Sequence, residues 1–265
     1  MSPSPVEFPW LGVFRMAGRD RARFLHGMCT NDIKKLAPGQ GCRACIVNRQ
    51  GKMVAELAVL ASSDALHVIV ERSNLQATID HLQKFIVADD VSMAPVDLHA
   101  VGYYDSPPPE VLATAPEPAL GGLIAAVGPS SAVQISEAEY ETRRIGNGFP
   151  RWGVDMGPDY LPMEAGLEPI AISYSKGCYI GQEVIQRVKT YSEPPRMLVQ
   201  LEIAGARPQE KIRANGEEIG HVTSAAANVA LGYVRKEYKA PGIHVEVGGR
   251  PAHVRALPWQ TKLAT

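Results

Sequence analysis

Cysteine is scarce in this chain: four residues in 265, at positions 29, 42, 45 and 178. That is too few to staple a domain of this length, which excludes a disulfide-built secreted scaffold and points to a reducing, cytoplasmic setting. Neither sign of charge is in excess, since 27 Lys+Arg against 28 Asp+Glu leaves a formal charge of −1. The basic surplus of a duplex-coating protein is therefore missing, and direct DNA binding is not expected. No uncharged apolar run approaches the roughly 18 residues of a membrane-spanning helix. Residues 1–10, with three prolines and an acid, lack the apolar stretch of a signal peptide. The phosphate-cradling G-x-x-x-x-G-K-[ST] string is absent. Seven histidines are scattered singly and show no zinc-type pair spacing, so no metal site is expected. What is present, 45% hydrophobic and 21% charged residues, suffices for a buried core in one to two domains.

Along the chain, 10–16 reads as a strand, Asp20 as an N-cap, and 42–48 and 52–60 as a hairpin around Arg49-Gln50-Gly51. A further strand follows over 65–71. Leu75, Ile79, Leu82 and Ile86, at spacings of four, three and four, predict a helix over 74–87. The order β-α-β-β-β-α is α+β with antiparallel pairing. Five prolines in 106–122 predict an exposed connection. Strands over 123–127 and 132–135 and a helix over 137–145 come next, then a Gly/Pro-rich surface stretch over 146–169. The last helix is expected over 180–190. After Glu193-Pro194-Pro195, short β-like runs at regular spacing predict a small barrel or sandwich. The expected division is a unit over 1–193, made of two intertwined subdomains joined by the Pro-rich connection 106–122, and a barrel over 194–265.

Chemistry concentrates in Lys176-Gly177-Cys178-Tyr179-Ile180-Gly181-Gln182-Glu183, followed by Arg187. A thiol in a Gly-flanked turn that leads into a helix lies near unpaired amide N–H groups, and Lys176 adds positive charge. Both favour the thiolate. Glu183 and Arg187, one turn apart, can pair on one helical face. The same residues also fit a buried, inert cysteine with glycines that merely turn the chain.

The string K-G-C-Y-x-G-Q-E-x-x-x-R resembles the signature of the YgfZ branch of the folate-binding superfamily that includes the glycine-cleavage T-protein, an aminomethyltransferase. Asp20, Phe24-Leu25 and Thr30-Asn31-Asp32 are similar to the family's opening helix and loop, and Asn48-Arg49-Gln50-Gly51-Lys52 to its N-x-x-G-K turn. Residues 161–167, Ala230-Leu231-Gly232-Tyr233-Val234 and Pro241-Gly242 extend the resemblance over nearly the whole chain. It implies ferredoxin-like α+β subdomains forming a T-protein-type (GcvT) folate-binding unit, followed by a small C-terminal β-barrel. It also implies tetrahydrofolate or a derivative as cofactor, and a role in iron–sulfur cluster assembly or repair, hence indirectly in tRNA modification. Partners would be iron–sulfur client proteins or cluster-assembly factors. By motif position, Cys178 and Lys176 are the active pair, and Asn48, Glu56, Gly181, Gln182, Glu183 and Arg187 the cofactor-binding residues.

Two departures stand out. Aminomethyltransferases carry an acidic pair where this chain has Ala55-Glu56, and the direction of Glu56 depends on strand register. Classical aminomethyl transfer is thus the alternative rather than the expected activity, with Glu56 as its working acid. The family's R-[IL]-E-x-G string reads Arg144-Ile145-Gly146-Asn147-Gly148 here, which weakens the expected folate affinity unless Asn147 substitutes. Cys42 and Cys45 form a C-x-x-C, but three residues apart on a strand they face opposite ways and are expected to be structural.

Overall fold

The computed structural model describes residues 5–104, 111, 113–128 and 133–263. Two compact units divide it. The first runs to Ile135 and takes in Ile170–Gln186; the second holds Ser136–Pro169 and the chain from Arg187 on. The stretch 136–169, expected within the first unit, thus groups with the barrel.

The first unit contains β1 (Val6–Glu7), β2 (Leu11–Ala17), α1 (Arg21–Met28), β3 (Gly41–Val47), β4 (Met53–Ala61), β5 (Leu66–Glu71), α2 (Leu75–Gln83), β6 (Ser92–Pro95), β7 (His99–Tyr103), β8 (Ala115–Glu117), β9 (Gly122–Val127) and β10 (Val133–Gln134). They form two five-stranded sheets, ordered β3-β4-β5-β2-β6 and β10-β1-β7-β9-β8. Alternation along β4 sends Ala55, Leu57, Val59 and Ala61 into one core with Phe14, Leu25, Ile46, Val68, Ile79 and Leu82. Glu56 therefore occupies the opposite face. The helix expected over 74–87 ends at Gln83, leaving Phe85 and Val87 exposed. The Pro-rich connection is only partly an exposed loop. Residues 105–110 and 112 lie outside the described set, while β8 joins β9 and buries Ala115 and Glu117. Proline at 116 is tolerated because β8 is an edge strand. Of the strand expected over 132–135, residue 132 is outside the described set, and Val133–Gln134 forms β10.

The second unit contains α3 (Glu137–Asn147). Ser136 caps it by accepting from the Glu139 amide at 3.2 Å. The short α4 (Glu168–Ala171) and α5 (Gln182–Tyr191), which follow in the chain, each carry residues of both units. Then come β11 (Arg196–Glu202), β12 (Lys211–Ala214), β13 (Glu217–Ala226), β14 (Val229–Arg235), β15 (His244–Val247), β16 (Arg250–Arg255) and α6 (Pro258–Leu263). The six strands close into a barrel ordered β11-β14-β13-β12-β15-β16, filled by Val199, Leu201, Ile212, Val222, Val234, Val247 and Val254. The segment 146–169 does not run over the surface: Phe149, Met156, Leu161, Met163 and Leu167 are buried. Its buried Asp155 accepts from Arg144 Nη1 (2.6 Å), Thr223 Oγ1 (2.5 Å), Ser224 Oγ (2.7 Å) and Arg151 N (3.0 Å). Those four donors satisfy a desolvated charge and tie the segment to β13, which composition alone does not foretell. No helix of the described residues is long and apolar enough to cross a membrane.

Candidate functional site

The cysteine segment is seated on the end of α1. Thr30 Oγ1 donates to Ala171 O (2.5 Å), and Thr30 O accepts from Ser173 N (3.0 Å). Asn31 Nδ2 donates to Ile170 O (2.9 Å) and to Arg43 O (2.7 Å). Lys176 is buried, and its Nζ donates to Cys29 O (2.6 Å) and to His26 O. An ammonium thus satisfies carbonyls left open at a helix C-terminus, where the dipole favours positive charge. Burial pushes its pKa down. Nζ also lies 4.7 Å from the Tyr179 ring centroid.

Lys176 was expected to sit beside the thiol and favour its ionisation. Instead its ammonium is turned onto main-chain carbonyls, so its visible work is to hold the loop. The helix, too, begins at Gln182 rather than 180, with Gln182 N donating back to Tyr179 O at 3.2 Å. Cys178 therefore precedes the first helical residue by four positions, beyond the single turn over which a helix end exerts its field.

Cys178 is exposed, whereas Cys29 and Cys45 are buried and Cys42 is half-buried. Burial pushes the Cys29 thiol up to about 11, that of Cys42 up to about 12, and that of Cys45 well above its usual range. Cys42 packs on the helix side of β3, whose pleat turns Arg43 and Cys45 the other way. Gly181, with φ +82°, packs on the Asn48 main chain. Asn48 Oδ1 accepts from Gln50 N and Lys52 N, both at 3.0 Å, so this side chain shapes the turn on which the signature rests. Gln182 is half-buried; Glu183 and Arg187 are exposed, one turn apart on α5.

Glu56 stands apart from these. Arg43 Nη1 donates to its Oε1 at 2.9 Å, Arg43 Nη2 pairs with Glu117, and Arg43 Nε donates to Pro116 O at 2.8 Å. Burial pushes the Glu117 carboxyl up, although Arg43 opposes this. Nothing in the sequence marks this trio, in which Arg43 and Glu117 are buried and Glu56 half-buried: Glu117 lies in the Pro-rich stretch expected to be exposed, and Arg43 sits inside the C-x-x-C. His26 is likewise unmarked: its Nδ1 is 3.2 Å from Asp32 Oδ1. The histidines are not all solitary, since His244 and His253 meet across β15 and β16 with ring centroids 4.3 Å apart. Among the described residues no group of three or more His, Cys, Asp or Glu is placed to hold a metal ion.

A fold of this kind, two antiparallel-rich sheets with helices and a closed six-stranded barrel, defines a class. Residues 6–102 match the GCVT N-terminal domain, and residues 196–262 the glycine cleavage T-protein C-terminal barrel domain. The chain belongs to the GcvT-like superfamily. An aminomethyltransferase of Streptomyces coelicolor is 26% identical, over 94% of this chain and 84% of that one. An iron–sulfur cluster assembly factor, the mitochondrial IBA57 homolog of Mycosarcoma maydis, is 28% identical, over 78% of this chain and 59% of that one. The crystal structure of the glycine cleavage system aminomethyltransferase T from Bartonella henselae shares the fold, with a TM-score of 0.83 at 19% identity, covering 96% of this chain and 85% of that one.

Proposed function

We propose that the protein is a YgfZ-type member of the superfamily that acts in iron–sulfur cluster assembly or repair, in a cytoplasmic setting, with Cys178 as its working thiol. One observation carries this reading. Cys178 is the exposed cysteine, on a loop tied down on both sides, while the other three thiols are shielded and hard to ionise. A thiolate is both a metal ligand and a nucleophile, and a solvent-facing one on a fixed turn can meet an acceptor protein. The likeness to a cluster assembly factor supports the same reading, and clients of this kind would link the protein indirectly to tRNA modification.

Tetrahydrofolate or a derivative is the cofactor that superfamily membership suggests. The residues here fit it poorly. Position 146 holds glycine, with open space where a side chain would begin, and Glu56 is already paired with Arg43. Neither offers an unengaged carboxylate to a pterin ring, so no step of the proposed activity runs through a folate. The same ion pair argues against the aminomethyl or methyl transferase alternative, which needs Glu56 available to a reacting nitrogen.

The test is cluster delivery. With ferrous and ferric iron and sulfide supplied, cluster formation on an apo iron–sulfur acceptor is followed for wild type and Cys178→Ser. The variant is expected to lose most of the rate while keeping wild-type circular dichroism and melting temperature. Equal rates would overturn the assignment. Neutral-pH alkylation mapped by mass spectrometry is expected to mark residue 178 first.

A further inference from the structure

A tight turn in the barrel brings together two histidines nine positions apart. Strands β15 and β16 are joined by Gly248-Gly249, with φ of +57° and +78°. Two successive left-handed residues make a type I′ turn, whose twist matches that of the strands it joins and so fixes their register. Val247 then stands opposite Arg250, Val245 opposite Ala252 and His244 opposite His253. Beside the histidines, Val254 N donates to Ile243 O at 2.9 Å. The ladder bond thus falls on the neighbouring pair, and 244/253 is the alternate position where facing side chains come closest. Val245, Val247, Ala252 and Val254 fill the barrel core, so the pleat puts both imidazoles on the outer wall, exposed. Their rings are edge to face at 69°. On the far side of His253, Glu202 of β11 is its directly paired residue.

We propose that His244 and His253 form a binding site for a first-row divalent transition-metal ion of the zinc, nickel or copper kind. Neutral imidazole suits these ions, and water completes the coordination shell at an exposed two-nitrogen site. The carboxylate of Glu202, in the adjoining strand, lies alongside, within 4.0 Å of Arg255 Nη1. The pairing needs the β15–β16 hairpin formed, and a two-stranded hairpin is marginal on its own, so the ion binds the folded chain in preference and stabilises it by mass action.

The experiment is thermal unfolding and calorimetric titration of the full chain carrying Cys178→Ser, which removes the exposed thiol as a competing ligand. Zn²⁺ and Ni²⁺ are the probes, and Mg²⁺ is the control. Zn²⁺ or Ni²⁺ is expected to raise the melting temperature with a stoichiometry of one ion per chain, and Mg²⁺ to leave it unmoved. Adding either His244→Gln or His253→Gln should abolish the rise without shifting the metal-free midpoint. A rise that survives both substitutions overturns the site, and so does the absence of binding at millimolar ion.

Discussion

Gly181 lies against the main chain of Asn48: a Cβ on residue 181 would stand 2.3 Å from the Asn48 carbonyl oxygen and 2.9 Å from Val47 Cγ2. The Asn48 turn cannot yield easily, because its own side chain and amide are bonded across it. How closely residue 181 approaches that turn therefore sets where Cys178 is held. Gly181→Ala adds both the clash and a left-handed backbone penalty, and is expected to destabilise by about 2–3 kcal/mol. Urea unfolding measures this, and amide exchange over 176–182 should speed up. Stability within about 0.5 kcal/mol of wild type would mean that the loop does not seat on the turn.

Lys176 joins the same loop to α1 through two carbonyls. Lys176→Met keeps the buried stem and deletes the donor, leaving the His26 and Cys29 carbonyls without it. A loss of about 1–3 kcal/mol is expected, with faster exchange at 26–29 and 176–180. If Lys176 acted instead through its charge on the thiol, the variant would keep its stability and the alkylation of Cys178 would shift to higher pH. The two outcomes are distinct.

Two carboxylates share one guanidinium in the Glu56–Arg43–Glu117 trio. Burial raises the Glu117 pKa above 4.5. The folded protein therefore keeps a proton that the unfolded chain has released, and this contribution to stability, complete below pH 4.5, is lost as pH climbs through the raised value. Glu117→Gln keeps an acceptor for Arg43 and cannot titrate, so urea midpoints measured upward from pH 4.5 should fall less for the variant. Parallel curves would show Glu117 already ionised. Arg43→Ala strands both acids and is expected to cost about 3–5 kcal/mol.

Much of this architecture was legible because its signals are local. The hairpin around Gly51, the strand over 65–71, the start of α2 and the barrel runs follow from alternation, helical spacing and turn residues, which neighbours in sequence decide between themselves. The string around Cys178 stood out as a dense run of chemistry-bearing residues, and its cysteine is exposed in the structure. Exposure was harder to read. Proline and glycine marked irregular backbone over most of 146–169, yet Asp155 there is buried, and in the Pro-rich stretch Ala115–Glu117 is a strand whose Glu117 is buried. Nothing in the composition of a loop says which distant donors will satisfy it.

By itself, the order of residues determined the α+β succession, the closing β-rich unit, the placement of an unusual thiol between glycines and the faces alternate along each strand. Tertiary structure decided which partner each face met. Register chose Arg43 for Glu56 and His253 for His244; the end of α1 claimed Lys176; the packing of Gly181 on Asn48 held Cys178 outward. The two hairpin pairings are set by turn and register, whereas the contacts of Lys176 with α1 and of Gly181 with Asn48 join segments more than 100 residues apart, brought together only when apolar faces are buried, and no local preference encodes that distance.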